Sequence, residues 1–360
     1  LKLMLLGLAG TAAAIALLLL LAFGGSGGGT EPAAPDAAAA AAGPLPRLFS
    51  PASFWNRPLA ADAALSEQSA TLVSELVAEA GAEHERGNGP WISTHECSTP
   101  IYVVPGGQRR VAVHLAHPNA DWRAGLARAF ARVPLPAAAS PADCVDRHLT
   151  VWQPATDRLW EFFHLRRSAA EWVADWGGAM KGVSRSQGFY SRASWPGLSA
   201  PNWGATASSL PVAGGVIRIG ELRRGRIGHA LAMNVPVARA GAFSWPAQRS
   251  DGIGPESALP EGARLRLDPS LDLEALDLPP LTLAIAAAAQ RFGIVVRDQT
   301  GSGNAIAFFG EDPRPRQPDP YRDPGGLFES SSPADLLADF PWDRLEVLRM
   351  TLCRESPCRR

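Results

Sequence analysis

Lysine is almost missing from this chain. Of 34 basic side chains among 360 residues, only Lys2 and Lys181 are lysines, and 35 acidic side chains bring the formal net charge to −1. That balance leaves no basic surplus to neutralise phosphates, so no nucleic-acid partner is expected. The alanine-rich, arginine-for-lysine composition has the bias of a GC-rich coding sequence, and the arginine count carries no functional weight. Cysteine is scarce, at four, and no C-x-x-C pair occurs, which argues against a zinc site. The G-x-S-x-G elbow, the P-loop and the H-E-x-x-H helix are missing too, and with them the signatures of serine hydrolases, nucleotide hydrolases and zinc peptidases. His114 and His117 are three apart, but on a strand they point to opposite sides and share no metal. Neither a metal nor a cofactor is expected. No internal repeat of solenoid or propeller period is present.

What the chain does have begins with an apolar run. Lys2 precedes Leu3–Phe23, 21 residues without a charge. That is long enough to cross a bilayer, and the charge on its N-terminal side predicts export of everything after it. The expectation is a single-pass membrane anchor over 1–23, with secretion after signal cleavage as the alternative. Residues 24–47, rich in Gly, Ala and Pro, read as a flexible spacer. Residues 48–352 read as one extracytoplasmic domain, followed by a short tail, 353–360. An oxidising compartment favours disulfides, and four cysteines allow several pairings. The closeness of Cys353 and Cys358 in CRESPC favours that pair, leaving Cys97 with Cys144.

Helical periodicity is limited. It covers Ser66–Ala80 with Gly81 as a stop, 121–133 behind Asp121, PPLTLAIAAAAQRFG with Pro280 in the first turn and Gly293 as the stop, and SPADLLADF behind Ser332. Strand-like segments are more numerous: PIYVVP, RRVAVHL, HLTVWQP, RLWEFFHL, EWVADW, HALAMNVP, ARLRLD, GIVVRD, AIAFFG and RLEVLRM. Short strands between Gly and Pro turns, without strict strand–helix alternation, predict a mainly β fold. Its expected form is an antiparallel, jelly-roll-like sandwich with a few peripheral helices.

The most informative stretch is DRHLTVWQPATDRLWEFFHL. A turn at 154–157 sets Thr150 opposite Glu161 and Val151 opposite Trp160. One face then collects Leu149, Val151, Trp160 and Phe162, and the other His148, Thr150, Trp152 and Glu161. A slip of one residue would scramble both faces. His148 and Glu161 are diagonal neighbours within side-chain reach, an imidazole–carboxyl pair suited to acid/base chemistry near neutral pH. Trp152 beside them offers a flat platform for the apolar face of a sugar ring. A solvated outer face, where the pair has no role, is the plain alternative.

Further candidates are second in rank. His229 opens an apolar strand and shares its parity with Leu231, Met233 and Val235, which makes it a core-edge histidine or a group at the mouth of the fold. Arg218 and Glu221 precede it at helical spacing, and Arg239 follows. Asp298, at the end of GIVVRD, is either a turn residue or the second carboxylate of a glycosidase-like pair with Glu161. The loop GFYSRASWPGLSAPNWG brings Tyr190, Asn202 and Trp203, and GPWISTHECSTPIY brings Trp91, His95 and Glu96. Aromatic loops of this kind cover a binding cleft or pack against a sheet.

FWNRPL, STPIYVVP, DRHLTVWQPATDRLWEFF, GATASSLPVAGGVIRIGELRRGRIGHAL, FSWPAQRSDG, GARLRLDP and RFGIVVRD resemble a family of exported, membrane-anchored bacterial proteins with no established activity. The resemblance spans roughly Phe54 to Phe309 and assigns no catalytic residue. Cys97 and Cys144 stand outside its pattern, which implies an accessory disulfide. By analogy of fold class, lectin-like sandwiches occur in polysaccharide-active enzymes, though fold does not fix function. The expected function is therefore a hydrolase or lyase acting on cell-wall or extracellular glycan. A hydrolase would use Glu161 as proton donor, tuned by His148, with Asp298 as its partner. A lyase would use His148 or His229 as base, Tyr190 as acid, and Arg218 or Arg239 to neutralise a uronate carboxylate. Trp152, Trp203, Trp91 and Asn202 would contact the sugar. A non-catalytic glycan-binding or structural cell-surface module is the alternative.

Overall fold

All of the alternating segments named above contain a strand. The computed structural model describes residues 47–116, 124–191, 204–314, 318–322, 324–328 and 331–358. The expected anchor lies outside these residues, as does the spacer up to residue 46. No helix among the described residues is long and apolar enough to cross a membrane. The first strands are β1 (Trp91–Ser93), β2 (Ile101–Val103), β3 (Val113–Leu115), β4 (Leu149–Gln153) and β5 (Arg158–Phe163). Next come β6 (Arg166–Ser168), β7 (Glu171–Ala174), β8 (Trp176–Lys181), β9 (Leu231–Val235) and β10 (Phe243–Ser244). The last are β11 (Arg264–Leu267), β12 (Ile294–Gln299), β13 (Ala307–Phe309), β14 (Leu345–Val347) and β15 (Leu352–Cys353). The α-helices among the described residues are α1 (Ser69–Glu85), α2 (Ala124–Phe130), α3 (Ile219–Leu222) and α4 (Pro280–Arg291).

The helices follow their local signals with two exceptions. α4 starts on Pro280 and stops where Gly293 takes a φ of +86°. A side chain there would need a left-handed backbone and would meet the Leu265 carbonyl at 2.6 Å. α1, by contrast, runs through Gly81 to Glu85, because Ala80 and Glu83 are buried and tertiary packing outweighs the glycine penalty. SPADLLADF forms only a 3-10 turn over Asp335–Leu337. Ser332 does bond with Asp335 as a capping residue would.

The antiparallel sandwich is corrected to an α/β arrangement of several sheets. The largest has the order β1-β13-β9-β12-β11-β14, the next β2-β4-β5-β8, and two small sheets are β3-β7-β6 and β10-β15. Of the four sheets among the described residues, three are mixed or contain parallel pairs: β1 with β13, β9 with β12, β2 with β4, and β3 with β7 run parallel. Parallel partners lie far apart along the chain, and local alternation does not reveal them. The hairpin register is the one expected, with Thr150 opposite Glu161 and Val151 opposite Trp160.

Two apolar clusters explain why the large sheet reads as continuous hydrophobic runs. Leu231, Met233, Val235, Ile294 and Val296 face one cluster with residues of α1 and α4. Ala230, Ala232, Val295, Ala307 and Phe309 face the other, which they share with Leu149, Val151, Trp152 and Leu159 of the hairpin. All five residues of β9 are buried as a result. The hairpin is covered on both sides as well. α2 lies on its Trp160 and Phe162 face, where Phe130 packs 4.7 Å from the Phe162 ring and Trp160 donates to the Ala129 carbonyl. The C-terminal stretch is docked rather than free: β15 pairs with β10, and Gln248 exchanges hydrogen bonds with the backbone of Cys358. Cys353 and Cys358 form a disulfide.

Replacing Phe162, which is fully buried, with alanine leaves a cavity under α2. The expected loss is about 3–5 kcal/mol, read as a drop in denaturation midpoint. A loss below about 1 kcal/mol would contradict this packing.

Candidate functional site

Polar residues inside otherwise apolar strands mark the site. Asn234 interrupts β9, and Arg297 and Asp298 end the apolar part of β12. β12 pairs in parallel with β9, but Val296 faces Met233 while Asp298 faces Asn234, so Arg297 is an extra residue. Such a bulge re-aims side chains and breaks regular pairing. Here it brings Asn234, Arg297 and Asp298 to one end of the large sheet. Ala307 and Phe309 of β13 continue the same wall, and His148 enters from the start of β4 in the smaller sheet. The result is a cleft of about 430 Å³. Its rim carries Trp91, 39 % exposed, together with Asn88 and Glu96.

Several buried polar atoms in this wall have no hydrogen-bond partner: Asn88 Oδ1, Asn234 Oδ1 and Arg297 Nε. Buried polar groups are nearly always paired, so a run of unpaired ones in one cleft suits a polar ligand. The Arg297 guanidinium stacks 3.9 Å from the Phe309 ring centroid and donates to the Val212 carbonyl. Burial draws its pKa down to about 10, with Asp298 and Glu161 opposing, so it stays charged at neutral pH.

His148 and Asp298 meet at one turn. His148 Nε2 lies 3.1 Å from the Ala205 carbonyl, to which it donates, and the Ala207 N–H donates to Asp298 Oδ2 at 3.1 Å. Burial lowers the His148 pKa to about 4. The ring is therefore neutral, and with Nε2 protonated its Nδ1 carries the free lone pair. Burial, with the Asp251 charge, raises the Asp298 pKa to about 6. A second histidine stands at the rim: His95 Nε2 is 2.6 Å from Asp319, and its Nδ1 is 2.8 Å from the Thr94 hydroxyl.

The remaining candidates lie elsewhere. Glu161 is fully buried and does not line the cleft. It accepts hydrogen bonds from Tyr190 at 2.9 Å, Ala213 N–H at 2.9 Å and Thr150 at 3.3 Å. Burial raises its pKa against those bonds, and Tyr190, equally buried, is raised well above its ordinary value. The expected outer face of the hairpin is thus a second core face, turned toward the large sheet, and Trp152 is packing, not a platform. Arg218 makes a two-point contact with Glu311, and Arg239 pairs with Glu256. Neither lines the cleft. Trp203 and Asn202 lie outside the described residues. Cys97 and Cys144 are free thiols in mutual contact rather than a disulfide. The Glu96–Asp143 bridge sets them side by side.

The chain matches no protein-family model, no curated protein and no solved structure.

His229 has its own arrangement, apart from the cleft. Its Nδ1 is 2.9 Å from the Ala230 carbonyl and its Nε2 is 3.0 Å from Glu221. Both partners only accept, so the bonded ring carries both protons. Burial alone would lower the His229 pKa, but Glu221 raises it overall. Burial likewise opposes ionisation of Glu221, and His229 with two backbone N–H groups still brings it from 4.5 to about 2. Linkage then has two signs. The Glu221 contribution is full above about pH 4.5 and is lost as pH falls toward 2. The His229 contribution is full below its unfolded pKa, about 6.5, and is lost as pH rises through its raised folded value. Stability measured against pH should therefore decline on both sides of that window, and Glu221→Gln should flatten the profile. An unchanged profile in the variant would rule the pair out as its source.

The thiol contact gives a separate expectation. Mild oxidation should join Cys97 to Cys144, seen as a crosslinked peptide in non-reducing mass spectrometric mapping. Absence of that crosslink, with Cys353–Cys358 intact, would leave the two as independent thiols.

Proposed function

We propose that the cleft is the active site of an extracytoplasmic polysaccharide-active enzyme that cleaves uronate-containing cell-wall or extracellular glycan by elimination. The observation that carries this reading is His148, a neutral imidazole with one nitrogen committed to the Ala205 carbonyl, in a cleft that also holds the charged Arg297. Elimination needs that combination. His148 Nδ1 takes the proton α to the uronate carboxylate, while the positive field of Arg297 stabilises the charge that builds on it. The bond from the β carbon to the glycosidic oxygen then breaks, leaving a carbon–carbon double bond. The imidazolium returns its proton to the departing oxygen, which balances the step. Asn88 and Asn234 offer unpaired amide oxygens to sugar hydroxyls, and Trp91 offers an exposed ring face. Export, and either tethering through Leu3–Phe23 or release by cleavage, complete the reading from the sequence side.

The hydrolytic version loses its proton donor, because Glu161 is closed off by Tyr190, Thr150 and Ala213. The unpaired atoms and Trp91 would equally serve a glycan-binding module without chemistry. Incubation of the protein with a panel of uronate and neutral polysaccharides, assayed for unsaturated uronates and for reducing ends, separates the readings. Elimination yields both products. His148→Ala should then lower kcat by about 10²-fold or more and leave glycan binding in place. Binding without turnover by the wild type would establish the module instead, and reducing ends without the double bond would establish a hydrolase.

A further inference from the structure

Beside the cleft, three carboxyl groups from separate segments converge. Asp251 lies on the loop between β10 and β11, Glu261 just before β11, and Asp298 on β12. One carboxylate oxygen from each falls within 4.8 Å of the others. Acidic groups cluster on many surfaces without consequence, but Glu261 is not on the surface. It is 0 % exposed, and neither of its carboxylate oxygens makes a hydrogen bond of normal geometry, although Ser250 and Asp298 stand close enough to act on it. A buried carboxyl group left without donors is strongly unfavourable unless something else compensates it.

The nearby arginines do not provide that compensation by contact. Arg249 bonds to Ser209 Oγ and to the Gly204 and Thr206 carbonyls. Arg297 bonds to the Val212 carbonyl and stacks on Phe309. Asp298 keeps the Ala207 and Gln299 N–H groups, Glu261 faces it without a donor of its own, and exposed Asp251 opens the group to solvent.

We propose that Asp251, Glu261 and Asp298 form a Ca²⁺ site at the edge of the cleft. The donors are all hard oxygens, without thiol or imidazole, which disfavours zinc and copper. Ca²⁺ binds oxygen at about 2.3–2.6 Å, so ligands on opposite sides of it stand about 5 Å apart. The observed spread fits within that limit and is loose for Mg²⁺, which requires bonds of about 2.0–2.1 Å. Bound there, the ion holds the loop carrying Asp251 against the end of β12, where Gln299 Nε2 already donates to the Asp251 carbonyl at 3.0 Å. The site is independent of the glycan reading, since it asks only for the ion.

The test uses the full chain in detergent micelles, stripped with a chelator. CaCl2 and MgCl2 are titrated by calorimetry, and the thermal midpoint is followed in parallel. The expected result is saturable binding of one Ca²⁺ per chain with Kd below about 10⁻³ M, a higher midpoint, and at least about tenfold weaker Mg²⁺ binding. Glu261→Gln should weaken Ca²⁺ binding by about tenfold or more. Asp251→Asn should do the same, and because Asp251 is exposed that variant decides the matter if Glu261→Gln does not fold. No Ca²⁺ response at millimolar concentration, or equal affinity in wild type and Asp251→Asn, would overturn the site. Tighter binding of Mg²⁺ than of Ca²⁺ would overturn its assignment to calcium.

Discussion

The structure turns on a buried arginine. Arg297 sits in the seam between the two larger sheets, its guanidinium over the Phe309 ring and its charge felt by both Glu161 and Asp298. A guanidinium removed from water needs nearby negative charge and hydrogen-bond acceptors, or it destabilises the fold by several kcal/mol. This requirement explains features that otherwise look unrelated. The smaller sheet contributes Glu161, a carboxyl buried where the hairpin alone would call for an apolar residue. β12 carries a bulge at Arg297, which turns Asp298 to face Asn234. Val212 contributes a carbonyl from the irregular segment before α3. The cleft lies where this polar seam reaches the end of the sheets, and Arg297 and Asp298 both line it.

The seam also explains why the large sheet is buried on both sides. A jelly roll turns one face of each sheet inward and one toward solvent, and its strands alternate accordingly. β9 and β12 instead lie between helices and a second sheet, and their sequences, LAMNV and IVVRDQ, are apolar on both parities until the seam interrupts them. A parity argument for His229 has no force in such a strand. What determines its environment is Glu221, eight residues earlier, held by the N–H groups of Arg218 and Gly228.

Much of the local structure was legible because it depends on short-range signals. The hairpin register followed from the turn at Pro154–Asp157, where Asp157 adopts the left-handed φ of +51°, and from the sorting of its large side chains. α4 was bounded by Pro280 and Gly293 for reasons that act within a few residues. His148, Asp298 and Trp91 were recognisable as chemistry-bearing residues and do line one cleft. The companions Arg297 and Asn234 were not, because their role depends on a parallel pairing between strands some sixty residues apart and on a bulge that breaks its register, and Asn88 is brought in only by the pairing of β1 with distant β13. Asp251 and Glu261 gave no spacing signal, since their meeting with Asp298 is made entirely by the tertiary fold. The faces of the hairpin were sorted correctly, yet sorting does not reveal what covers each face. Trp152 therefore looked available when it is 3 % exposed.

The buried carboxyl groups of this protein share a use that separates structure from function. Glu83 accepts the Ile306 N–H, Glu161 that of Ala213, Glu221 those of Arg218 and Gly228, and Glu311 that of Ile219. In each case a carboxyl group closes a backbone donor where irregular chain meets a regular element and no ladder partner is available. A fold built of short strands and many crossings leaves numerous such donors, and buried backbone N–H groups must find acceptors. Glutamates of this kind are structural, and the Glu161–Tyr190 contact belongs with them despite its resemblance to an acid/base pair. Glu261 departs from the rule, for its carboxylate oxygens receive no backbone N–H. The unpaired atoms of Asn88, Asn234 and Arg297 depart from it as well, and all three belong to residues that line one cleft. Thr99 and Ser356 also hold an unpaired buried hydroxyl, but singly, whereas the cleft gathers three such residues in one wall.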